Sequence, residues 1–448
     1  MKTKTGSGLV RIGVLDHTGP SLGGGTMVAA RVAWLLSELY SVELIRDWSG
    51  FNVAQVSAAF SLDLAAVGCR GLVDIWESFA IPSRYSFRRQ LQRSRELTGE
   101  YDLFIYAGHW IPPFCYGQHG LIYCHFPIDV PLDEQLLLSD ERWKKRPSAD
   151  RWLRTQAYRL AWRACLSGYD HILANSAFTA HWMKQRWQIP ADVLYPPIAL
   201  EVGDSKKHNR IVSVGRFVSD QRSSKGQLEQ VAAFRDFLER AQAPWELWLI
   251  GSCYAEHDRA YLRAVEQAAS QLPIRFLINP ERDQVLEVLR GGKIFWHTGG
   301  LYENQTADPV FSEHFGMATV EAMRAGCIPV VISSGGQREI IQHGINGFLS
   351  SNMEELVSNT VALAEQSSRL AELAKRAVER SDQFHARVFD RRILELVETM
   401  VHRRPRHRGR RRLLKLLGSS PASARDQAGE DSTREILSDS QDPSRPRR

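Results

Sequence analysis

The chain has 448 residues, 43% of them hydrophobic and 24% charged, with a formal net charge of +6. That length exceeds one ordinary domain and the apolar fraction can fill two cores, which excludes a small disulfide-stapled scaffold and a wholly disordered chain. No run reaches the roughly 18 apolar residues of a membrane span and no secretory leader is legible, so the expected location is cytoplasmic.

In chain order, residues 9–15 read as a first buried strand, 19–25 as a glycine-rich turn and 27–39 as the helix after it. Further strands are predicted at 103–106, 121–124 and 172–174, where apolar and β-branched residues run together. Pro196 and Pro197 close this half, because proline lacks the N–H that a central strand needs. Residues 198–209 read as a hinge. The pattern restarts at 211–215 and continues with strands at 246–250, 274–278, 294–296 and 329–332, each followed by a helical stretch. Such alternation predicts an α/β protein with parallel sheets covered by helices on both faces. Two doubly wound domains facing a cleft are expected: 1–198, then 199–385, with 386–401 as a helix returning to the first domain and 402–448 as a tail.

The basic charge is concentrated in that tail. His402 to Leu417 holds seven Arg and one Lys with no acid, while residues 1–401 are close to neutral. Residues 418–448 are expected to be disordered. The basic run suits an anionic membrane surface, where each cation is worth on the order of 1 kcal/mol, with Leu413, Leu414, Leu416 and Leu417 as an apolar foot. Without interleaved aromatics it is not expected to bind nucleic acid. A basic-aromatic stretch at 142–163 reads either as an amphipathic helix or as a guide for an anionic acceptor. The six cysteines form no Cys-x-x-Cys pair and read as buried free thiols.

The most informative stretch is 313–348, EHFGMATVEAMRAGCIPVVISSGGQREIIQHGINGF. Glu313 falls in a loop, and Glu321 one turn into the helix that follows. The helix start at Gly316, Met317 and Ala318 presents backbone N–H groups without intrahelical acceptors, a setting that suits a phosphate. A carboxylate one turn in suits the vicinal hydroxyls of a ribose, and one in the loop ahead suits a sugar ring. Gly215 and Arg216 end a strand, and Lys225 follows nine residues later, so two cations flank a strand-to-helix loop and can balance a diphosphate. The turn Gly23, Gly24, Gly25 lets backbone approach a ligand closely. It does not meet the G-x-G-x-x-G spacing, which disfavours a nicotinamide enzyme. No Asp-x-Asp pair is placed to hold a divalent ion, so no metal and no cofactor are expected.

Residues 313–348 resemble the donor-site signature of family 4 of the retaining glycosyltransferases: Glu, seven residues, Glu-Ala-Met, Gly-x-x-Pro-Val, Gly-Gly-x-x-Glu, then Gly-x-x-Gly-Phe. The EHFG form, preceded by Trp296-His297-Thr298-Gly299-Gly300, is similar to the subgroup of lipid-linked-oligosaccharide mannosyltransferases and their bacterial relatives. The resemblance implies the GT-B fold, a nucleoside diphosphate sugar as donor substrate and a glycan or lipid-linked acceptor. It implies that Arg216 and Lys225 hold the pyrophosphate, Glu321 the ribose and Glu313 the transferred sugar. It also places His125 of Tyr123-Cys124-His125-Phe126-Pro127 beside that sugar, gives His109 a weaker claim to the same position, has His297 and Gly300 support the donor loop, and brings the glycine turn to the donor phosphate. GDP-mannose is the donor the subgroup points to, while UDP-sugars use the same motif. A nucleotide-sugar epimerase and a non-catalytic sugar-nucleotide-binding scaffold remain as alternatives.

Overall fold

The computed structural model describes residues 4–403 except 6–7, 20–21, 47–51, 73–86, 129–146, 151, 154–155, 157–162, 164, 204, 221–223 and 303–308. The readings made for the basic tail and for most of 142–163 lie outside the described residues.

Two parallel sheets organise the chain. The first contains β1 (Arg11–His17), β2 (Ser41–Arg46), β3 (Gly68–Gly71), β4 (Leu103–Gly108), β5 (His119–Cys124), β6 (His171–Ala174) and β7 (Asp192–Val193), in the order β3-β2-β1-β4-β5-β6-β7. The second contains β8 (Arg210–Val214), β9 (Glu246–Gly251), β10 (Ile274–Ile278), β11 (Ile294–His297), β12 (Ile328–Ile332) and β13 (Phe348–Ser350), in the order β10-β9-β8-β11-β12-β13. Every residue of β4, β5 and β12 is buried. A parallel strand covered by helices on both faces must be apolar at every position, which is why these segments read as continuous hydrophobic runs. Each sheet accordingly separates two hydrophobic clusters, one per face. This is the GT-B architecture.

Four strands of the two sheets are additional to the sequence prediction. β2 and β3 carry polar residues, Glu43 and Arg46 in one and Arg70 in the other, while β7 has only two residues and β13 only three. Cys69 on β3 is exposed, which corrects the reading of all six thiols as buried; the other five are buried. Among the described residues no helix is long and apolar enough to cross a membrane.

The chain passes between the domains twice. Ile198 N donates to Phe384 O at 3.1 Å and Ala386 N to Ile198 O at 2.9 Å, so the outgoing and returning strands run side by side. The returning helix Ala386–His402 then buries Phe389, Ile393, Leu396, Val397 and Met400 among Val28, Val32 and Leu36 of the helix Gly24–Ser37. Arg31 locks the pair with a bidentate bond to Asp390, Nε to Oδ1 at 2.8 Å and Nη2 to Oδ2 at 2.6 Å.

Candidate active site

In each sheet the strand order reverses beside the first strand, β1 against β4 and β8 against β11, and ligands of such sheets bind at the carboxyl ends beside that reversal. The two reversal points face each other across a cleft of about 380 Å³. Its lining includes Gly23, Gly24, Gly25 and His125 from the first domain, Gly215, Arg216, Lys225 and Glu313 from the second, and the helix start Gly316, Met317 and Ala318.

The second-domain wall is built around Glu313. Lys225 Nζ donates to Glu313 Oε2 at 2.7 Å, and His297 Nε2 lies 2.8 Å from the same oxygen. Burial pushes the Glu313 carboxyl up, but the Lys225 ammonium and His297 prevail and hold it well below the usual carboxylate range. Lys225 is fixed from behind: its carbonyl accepts from Gln230 Nε2 at 2.9 Å and from the Thr298 hydroxyl. Its side chain crosses Gly215, where a Cβ would stand 2.6 Å from Lys225 Cγ. Arg216 is exposed at the rim of the cleft. Gly316, at φ +117°, caps the helix Met317–Arg324, a conformation L side chains rarely adopt, and a Cβ there would meet Gln337 at 2.7 Å. Gly316 leaves the start of that helix without a side chain, and the N–H groups of Met317 and Ala318 have no acceptor within the helix and can meet an anion.

The first-domain wall is neutral. His125, just after β5, is buried, and its Nε2 has no hydrogen-bond partner among the described residues. Burial, with His314 adding to it, pushes the His125 imidazole down to about 3. His109, also on the cleft and with Nδ1 unpartnered, has its ring centroid 5.1 Å from that of His125 and is likewise held well below the ordinary value by burial. The glycine turn meets the opposite wall directly: a Cβ on Gly24 would stand 2.6 Å from Met317 Sδ. A side chain at Gly24 would have to displace the end of the Met317 side chain.

Glu321 and Gly300 stand apart from the lining. Glu321, on the helix Met317–Arg324, is buried and bonded by Arg282 Nη2 at 2.5 Å. Gly300, at φ +79°, packs against Ser334 behind the loop. His297, read from sequence as support for the donor loop, bonds the Glu313 carboxylate itself. Sequence reasoning passed over Asn175 and His314, which also line the cleft. His314 lies inside the EHFG run, so its position was available; Asn175 follows an unremarkable strand. Among the described residues no cluster of three or more His, Cys, Asp or Glu is placed to hold a metal ion.

The sequence profile described as glycosyl transferases group 1 matches residues 200–383. Curated relatives include the GDP-Man:Man(3)GlcNAc(2)-PP-Dol alpha-1,2-mannosyltransferase of Dictyostelium discoideum, 25% identical over 254 residues, covering 52% of this chain and 47% of the relative. The human alpha-1,3/1,6-mannosyltransferase ALG2 is 26% identical over 256 residues, covering 51% and 55%. The chain spans about half the length of the curated relatives it matches. Among solved structures, Anabaena HepE in complex with UDP and glucose aligns over 87% of this chain and 100% of its own, at a TM-score of 0.60 and 14% identity. WaaG, a glycosyltransferase involved in lipopolysaccharide biosynthesis, aligns over 86% and 99% at 0.59 and 13%. Residues 200–383, which match the group 1 glycosyl transferase profile, are the second half of a two-domain GT-B fold.

Proposed function

We propose that this protein is a retaining glycosyltransferase that moves a hexose from a nucleoside diphosphate sugar to an acceptor hydroxyl on a glycan or lipid-linked glycan. The observation that carries the reading is the convergence of Arg216, Lys225, Glu313 and a bare helix start on one cleft, opposite the unpartnered His125 and the glycine turn. In this reading the diphosphate lies against the helix start and the two cations, with Glu321 on the ribose. Glu313, held ionised, accepts from hydroxyls of the transferred sugar. No protein nucleophile is invoked: the leaving phosphate assists the acceptor on the same face, so charge developing on it is the quantity to stabilise, and Lys225 and Arg216 do so without a divalent ion. His125, neutral and desolvated, contributes a hydrogen bond from the acceptor side. Mannose as GDP-mannose is the favoured donor because the curated relatives named above are mannosyltransferases, one of them named for GDP-Man. The acceptor domain is 1–198, and the basic tail attaches the enzyme peripherally to an anionic membrane face.

A thermal-shift series with GDP, UDP and their sugars tests the donor site. A ligand present at about 100 times its Kd stabilises by ~2.7 kcal/mol, and GDP-mannose is expected to raise the midpoint most. Incubation with donor and a lipid-linked oligosaccharide should then yield an α-linked product in the presence of EDTA. Indifference to every nucleoside diphosphate would remove the reading. Conversion of the donor without acceptor would replace it with epimerisation, and loss of activity in EDTA restored by Mn²⁺ would remove its metal-independent part.

A further inference from the structure

The Gly-Gly-x-x-Glu element at 335–339 contributes nothing to the cleft lining, yet its glutamate makes a direct, two-bond polar contact between the two domains. Glu339 Oε2 accepts from Ala177 N at 2.7 Å and Oε1 from Phe178 N at 2.7 Å. These are the first N–H groups of the first-domain helix Ala177–Trp187, which have no acceptor within their own helix. A carboxylate seated on a helix start is favoured by the helix dipole as well as by the two bonds. The contact is reinforced around it. Ser176, the N-cap of that helix, donates through Oγ to His314 O at 2.6 Å. The His314 ring stacks on Phe126 of the first domain, with centroids 4.1 Å apart and planes 8° apart.

The same element is welded to the donor loop. Gly336 N donates to Glu313 O at 2.8 Å, and a Cβ on Gly335 would stand 2.1 Å from that oxygen. Arg380 fixes the other side, donating through Nη2 to Glu339 O at 2.6 Å. Movement of the loop that carries Glu313 therefore moves Glu339, and Glu339 sits on the other domain.

We infer that Glu339 is a positioning residue that latches the two domains, holding His125 and the glycine turn against the donor wall. The inference rests on the transferase reading for its effect on turnover, but the latch itself is a physical contact that can be measured without any activity. Closure of this kind completes a two-domain site and commonly sets turnover.

The test uses three variants of the full chain: Glu339→Ala, Ala177→Pro and their double. Ala177 is exposed and is the first residue of its helix, and Ser176 before it is extended (φ −162°, ψ 161°), so proline fits there while deleting one of the two donors. Small-angle scattering is expected to give a larger radius of gyration for Glu339→Ala, and amide exchange at Phe178 is expected to accelerate at least tenfold. With donor and acceptor, kcat should fall about tenfold in either single variant while the affinity for free GDP or UDP stays within twofold. The double variant should be no worse than Glu339→Ala, because both changes break one contact. Unchanged scattering and exchange in Glu339→Ala, additive losses in the double, or nucleotide affinity falling in step with kcat would each overturn the latch. A wild-type chain that transfers no sugar yet opens on Glu339→Ala would keep the latch and remove the transferase reading.

Discussion

The two walls of the cleft differ in how completely they are satisfied. On the donor side each charged group near the centre already has a partner: Lys225 and His297 share one oxygen of Glu313, and Arg282 holds Glu321. On the acceptor side two buried polar atoms, His125 Nε2 and His109 Nδ1, have no partner among the described residues. A buried charge must be paired to be tolerated, whereas a buried imidazole can shed its proton and wait. The difference teaches which wall is pre-assembled and which is completed by what binds. The donor wall holds its geometry through ion pairs, and the acceptor wall through packing.

The largest expected effect comes from breaking the donor wall. Lys225→Ala should lower turnover 100-fold or more, about 3 kcal/mol of leaving-group stabilisation. Glu313 keeps His297 as a partner, so the thermal midpoint should move by only a few degrees in calorimetry. Equal loss of turnover and stability would make Lys225 structural and erase the contrast.

The buried imidazoles at the seam of the two walls, His109 and His125 from the first domain and His314 from the second, make a prediction about pH. The folded-state pKa of His125 is about 3 and that of His314 about 4, both lowered by burial from the ordinary 6.5, and His109 is lowered as well. Below pH 6.5 the unfolded chain therefore binds protons that the folded chain does not. Their contribution is fully present above pH 6.5 and is lost as pH falls toward 4 and then 3, by up to ~1.4 kcal/mol per pH unit per histidine. Urea unfolding at pH 7.0, 6.0 and 5.0 should show this slope, and His125→Asn should flatten it. Matching slopes would mean that His125 is solvated and that the wall is not the dry one described here.

A smaller effect sharpens the donor side. Glu321→Ala should weaken GDP or UDP binding about tenfold, ~1.4 kcal/mol for a charged hydrogen bond, and should abolish the preference for a ribose over a 2′,3′-dideoxyribose. Calorimetric titration with the two nucleotides decides it; a retained preference would place the ribose elsewhere.

What sequence could reveal follows the same division. Glu313, Arg216, Lys225 and the start of the helix Met317–Arg324 were legible because local spacing ties each to a strand end or a helix start. β11 and β12 were legible because every residue in them is buried, whereas the half-exposed edge strand β10 was legible only from the apolar residues around Arg275. β2 was not: Arg46 reads as a surface charge, and only the structure pairs its Nε with Asp16 Oδ2 at 2.8 Å in the buried interior. Glu339 is legible only as the acid of the Gly-Gly-x-x-Glu motif; its acceptor role depends on N–H groups about 160 residues away, and no local pattern carries that information. His297 is intermediate. Its place beside the donor loop followed from the sequence, and its bond to Glu313 required the fold.

The returning helix Ala386–His402 has a consequence for anyone recombining this scaffold. It belongs by packing to the first domain but by chain order to the end of the second, so a fragment ended at residue 198 would expose the apolar stripe that Phe389, Ile393 and Val397 cover. A chimaera that exchanges second domains between relatives must therefore have two junctions, one near 198 and one near 385, and must leave residues 386–402 with the first domain. Joined at a single point, such a hybrid would pair each helix with a surface it was never shaped to meet.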